Sequence, residues 1–102
     1  MEKFIKKGGS WVAYHRNLTV KLSGKCMSVT HSENGIEAIL RFQEVIENIS
    51  TAEFFYSPNQ QRAAIILPTE LGHLEVVDIG MSLVVRNFNN QGALLQTVTA
   101  QF

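Results

Sequence analysis

The chain has 102 residues, 45% of them hydrophobic and 18% charged, with a formal net charge of zero. That composition is too apolar for disorder and leaves room for one domain around one core. No apolar run approaches the roughly 18 residues of a membrane-spanning helix, and a single cysteine, Cys26, excludes an internal disulfide and a multi-cysteine metal site.

The charge is unevenly placed. Residues 1–25 carry six cations against one acid, a net +5, whereas the remainder carries three against eight, a net −5. Such asymmetry fits a basic segment for nucleic acid, or two oppositely charged faces that attract each other within or between subunits.

Residues 1–10 read as a flexible basic arm (Lys3, Lys6, Lys7) ending in Gly8-Gly9-Ser10, which uncouples it from a single domain over 11–102. From Val12 the even positions Val12, Tyr14, Leu18, Val20 and Leu22 are apolar, the alternation of a half-buried strand. Arg16-Asn17 interrupts it, making either one bent strand or two short ones. Ser23-Gly24-Lys25 is a turn, and 26–31 is the returning strand of a hairpin.

Over about 34–50 the pattern predicts the one amphipathic helix. Asn34 suits an N-cap with Glu37 three residues on, and Ile36, Ile39, Leu40, Phe42, Val45, Ile46 and Ile49 recur at helical spacing opposite Glu37, Arg41, Glu44 and Asn48. Strand patterns then return over 52–56, 63–67, 73–79, 81–88 and 94–102, punctuated by Pro58, Pro68, Gly72, Gly80 and Asn89-Asn90-Gln91-Gly92. The expected fold is therefore α+β: a mainly antiparallel, curved or partly closed β-sheet packed against one amphipathic helix. Many strands and one helix leave part of the sheet uncovered, which favours a homodimer or higher homo-oligomer through a sheet face or edge.

Chemical constellations are sparse. Cys26 and His31 lie five positions apart, on opposite faces of a strand, and no catalytic role is assigned to either. The three histidines lack ligand spacing, so neither a metal nor a cofactor is expected. Glu70 and Glu75 read as solvated. Phe42, Phe54, Phe55 and Tyr56 offer a ligand pocket between helix and sheet, the reading that would make this a small enzyme or ligand-binding protein.

The richest segment is basic and aromatic: Lys6, Lys7, Trp11, His15, Arg16 and Lys21 are the candidate binding residues. Trp11, His15 and Lys21 share the parity opposite to Val12, Leu18 and Val20, so a regular strand would project them together for base stacking and phosphate contact with a single-stranded nucleic acid. Zero net charge weighs against that use. The leading expectation is a non-enzymatic, cytoplasmic interaction module that self-associates and presents a sheet surface to a protein partner, with no membrane contact. Single-strand binding is the alternative.

Overall fold

Alternation of apolar and polar residues runs through nearly the whole chain and is realised as strands. The computed structural model describes residues 2–102. Its strands are β1 (Lys3–Lys7), β2 (Ser10–His15), β3 (Leu18–Ser23), β4 (Cys26–His31), β5 (Glu37–Arg41), β6 (Glu53–Ser57), β7 (Arg62–Thr69), β8 (Gly72–Asp78), β9 (Ser82–Asn89) and β10 (Leu94–Gln101). They form two five-stranded antiparallel meanders, β1-β2-β3-β4-β5 and β10-β9-β8-β7-β6. The fold is all-β, and no helix occurs among the described residues.

The expected α+β fold is thus corrected at 34–50. The stripe of apolar residues there also contains the alternation Ala38, Leu40, Phe42, all buried, with Glu37, Ile39 and Arg41 exposed. Its β-branched residues favour a pleated backbone. β4 moreover needs a partner for its second edge, and β5 supplies it in the register Cys26↔Arg41 to Thr30↔Glu37. The cap signal at Asn34 marks a turn instead, in which the Gly35 N–H donates to the His31 carbonyl at 2.8 Å. Residues 3–7 of the segment read as an arm form β1, paired along its length with β2.

The two sheets pack face to face around one core. Sheet one contributes Trp11, Ala13, Leu18, Val20, Leu22, Met27, Val29, Ala38 and Leu40, and sheet two contributes Ala63, Ile65, Leu67, Leu74, Val76, Leu83 and Val85. Each inward side chain alternates with an outward one, as in other sandwiches. The segment between β5 and β6 closes one end, where Phe42, Ile46 and Ile49 are buried. Glu70 is exposed, as expected, and also holds this segment by accepting the backbone N–H groups of Glu47 and Asn48. Glu75 pairs with Arg86 at 3.3 Å. The opposite end remains open, and there the inward positions are His15, His31 and Asp78, all buried.

Candidate functional site

Hairpin geometry decides where the six candidate binding residues go. The two-residue turn Arg16-Asn17 pairs His15 with Leu18. Paired residues face the same side, so the inward parity switches from odd in β2 to even in β3. Trp11, Ala13 and His15 therefore point inward, while Val12 and Tyr14 point out. Trp11 is only 6% exposed and His15 3%. The stacking platform expected for single-stranded nucleic acid is not formed, because its two rings belong to the core.

Lys21 lies on the outer face in β3 and Lys7 on the same face at the β1 edge, two strands away and in another row, whereas Lys6 sits over the Trp11 ring, 5.4 Å from its centroid. Arg16 is at the other end of the sandwich, stacked on Tyr56 with its guanidinium carbon 3.5 Å from the ring centroid. The six residues are dispersed over the core, an outer face and two ends. The aromatic pocket is likewise undone: Phe42 plugs one end, Phe54 faces the core, Phe55 faces out and Tyr56 borders the other end. Cys26 is outward and half-buried, at the opposite end of β4 from His31.

The open end brings together groups whose convergence was not legible in the sequence. His31 Nε2–H donates to Asp78 Oδ2 at 3.2 Å, joining the two sheets, and Asp78 Oδ1 accepts the Gly80 N–H at 2.9 Å. The imidazole Nδ1 of His31 is buried and has no partner. Phe102 leans on His31 with ring centroids 4.7 Å apart.

Around this pair lies a cleft of about 510 Å³, walled by Arg16, Asn17, Glu33 and Asn34 from sheet one and by Tyr56, Gln61 and Gly80 from sheet two. The first wall is fixed by the Ser32 N–H donating to the Asn17 carbonyl at 2.8 Å and by Ser32 Oγ donating to Asn17 Oδ1 at 3.4 Å. Arg16 forms no ion pair with any described carboxylate. No group of three or more His, Cys, Asp or Glu side chains among the described residues is placed to hold a metal ion.

The outer faces of the two sheets differ in character. On sheet one the cross-strand rows read Lys3-Tyr14-Thr19-Thr30-Glu37, Ile5-Val12-Lys21-Ser28-Ile39 and Lys7-Ser10-Ser23-Cys26-Arg41. On sheet two they read Phe55-Ala64-Val77-Val84-Thr99, Glu53-Ile66-Glu75-Arg86-Thr97 and Pro68-His73-Phe88-Leu94. The first face is rich in lysine, serine and threonine. The second is largely apolar, with the Glu75–Arg86 pair in its middle and His73 stacked on Phe88 at 4.5 Å.

Together these features define a two-sheet antiparallel β-sandwich with one plugged end and one polar, open end. No helix among the described residues is long and apolar enough to cross a membrane. The chain matches no protein-family model, no curated protein and no solved structure.

Proposed function

We propose that the protein is a non-enzymatic interaction module that self-associates through the outer face of the β6–β10 sheet, its occupant being a second copy of the same chain. The observation that carries this reading is the contrast between the two outer faces. Ala64, Ile66, Val77, Val84 and Phe88 are half-buried at best, and Phe55 and Leu94 are each 52% exposed. Two apolar rows, one on each side of the polar middle row, mark this face as an association surface.

A second copy suits this face in charge and size. Under twofold symmetry the central Glu75–Arg86 pair meets its own reverse, acid against base, so the patch is self-complementary. Five strands at about 4.8 Å spacing and seven residues at about 3.4 Å rise give a flat area near 600 Å², which side-chain relief brings toward the ~800 Å² per partner of a standard interface. The lysine-bearing face of the β1–β5 sheet then stays open on both outer sides of the dimer, available to a protein partner. A cytoplasmic setting belongs to this reading, supported by the unpaired, half-buried thiol of Cys26.

Light scattering at micromolar concentration tests it. The expected mass is twice the 11.4 kDa of the chain, persisting in high salt because the apolar rows on either side of the ion pair make most of the contact. Val84→Lys should return the protein to a folded monomer. A clean monomer for the parent chain overturns the proposal, as does a dimer that Val84→Lys leaves intact.

A further inference from the structure

The backbone singles out the open-end cleft as a binding site. Among the described residues only two non-glycine residues adopt the left-handed conformation, Arg16 at φ 56° and Gln61 at φ 53°. Both line this one cleft. The β1–β5 sheet supplies an internal comparison, since three of its hairpins have two-residue turns with a positive φ at the first turn position. Gly8 and Gly24 occupy that position in two of them, and Arg16 occupies it in the third. A long polar side chain is strained where glycine is not. Backbone strain of this kind gathers at sites that use the side chain it carries.

The chemistry around the strained pair indicates the ligand. The Arg16 guanidinium lies over the Tyr56 ring, and its donors have no carboxylate partner among the described residues. Asn34 and Gln61 present amides able both to donate and to accept, and Glu33 presents an exposed carboxylate that only accepts. Behind them lies the buried, unpartnered Nδ1 of His31. Arg16 is outnumbered by the two carboxylates Glu33 and Asp78, so the cleft has no positive excess for a phosphate or sulfate. A hydroxyl both donates and accepts, and a ring bearing several hydroxyls satisfies this mixed set at once. The Phe102 ring adds apolar surface for its C–H groups. A volume of about 510 Å³ suits a small ligand.

We infer that the cleft binds a neutral polyhydroxylated ring, that is, a saccharide unit. The site is independent of the association face.

Amide NMR spectra of the full chain, titrated to tens of millimolar with glucose, galactose, mannose and N-acetylglucosamine, test this, with inorganic phosphate titrated in parallel. At least one sugar should give saturable shifts at the Gly80 amide and at the side-chain amides of Asn34 and Gln61, and phosphate should give none. Arg16→Gly and Gln61→Gly relieve the strained backbone, so both should keep the folded spectrum while weakening sugar binding about tenfold or more. Arg16→Asn, a residue that tolerates the same backbone, carries the same expectation should a glycine variant lose its fold. Absence of a saturable response to all four sugars overturns the inference. So does a response to phosphate alone, or undiminished sugar binding by the folded variants.

Discussion

His15 Nε2, on β2, lies 2.7 Å from the backbone carbonyl oxygen of Phe55, on β6, and the bond it donates joins the two sheets. At the other margin of the sandwich Gln96 Nε2, on β10, donates to the Arg41 carbonyl of β5 at 2.8 Å. β5 and β6 are edge strands, and the carbonyls of an edge strand that point away from its neighbour have no ladder partner. A side chain from the opposite sheet satisfies one of them on each side, so the sandwich is stitched along both seams.

The two stitches differ in burial, and their removal should differ in cost. His15→Ala loses a part-buried hydrogen bond and leaves a cavity beside Phe54, whose ring centroid is 5.3 Å from that of His15. A loss of about 2–4 kcal/mol is expected. Gln96→Ala removes an exposed bond and should cost less than about 1 kcal/mol. Urea denaturation followed by the emission of Trp11, the only tryptophan and a core residue, measures both. Equal destabilisation by the two variants would contradict the difference argued from burial.

Much of the strand content was legible because period-two alternation is a local property: 26–31 coincides with β4, and 63–67, 73–79 and 81–88 fall largely within β7, β8 and β9. The helix expected over 34–50 failed because Ile36, Ile39, Leu40, Phe42, Val45, Ile46 and Ile49 satisfy a helical stripe as well as a strand followed by a plug. Only the vacant edge of β4 decides between them, and that edge is a tertiary feature. The inward parity of β2 was inverted because the turn at Arg16-Asn17 shifts the phase by one residue. Trp11 and His15 consequently changed from candidate ligand contacts to core. The cleft depends on His31 and Asp78 meeting across 47 positions, which no local pattern encodes. Its one sequence signal was a turn position held by Arg16 where Gly8 and Gly24 stand in the equivalent hairpins.

Asp78 is the acceptor on which the open end depends. Asp78→Ala strands the buried His31 Nε2–H and removes the acceptor of the part-buried Gly80 N–H bond. A destabilisation of about 2–4 kcal/mol is expected in urea denaturation. Asp78→Asn retains an oxygen able to accept one of the two donors and should lose roughly half as much. An Asn variant as unstable as the Ala variant would show that charge, rather than hydrogen-bond satisfaction, is what the site requires.

Trp11 emission should not respond to single-stranded oligo-dT or oligo-dA at low salt. Stacking needs an accessible ring face, and this ring is 6% exposed and has Lys6 over one face. The folded protein should also emit at the short wavelengths of a buried indole, moving to longer wavelength on unfolding. Quenching by an oligonucleotide, with the fold retained, would restore the single-strand reading of the basic segment.

Gly72 opens β8 against the end of β9, and it is the position where the backbones of the two strands tolerate no side chain. Its φ is +149°, and a Cβ built there would lie 2.0 Å from the Phe88 carbonyl oxygen, 2.7 Å from the Asn89 carbonyl carbon and 2.8 Å from the Asn89 Cα. All three are backbone atoms, so no rotamer change can make room. Moving the β9 backbone aside would break the Gly72↔Asn89 and His73↔Phe88 register and separate the stacked His73 and Phe88 rings. Gly72→Ala should therefore cost about 3 kcal/mol or more, or prevent folding outright. Gly92→Ala is the matched control, since Gly92 has φ +80° but open space around its Cβ. It carries the left-handed strain without the clash and should cost about 1–2 kcal/mol. Thermal or urea melts of the two variants beside the parent separate the contributions, and a Gly72→Ala variant melting no lower than Gly92→Ala would mean that β8 and β9 do not approach this closely.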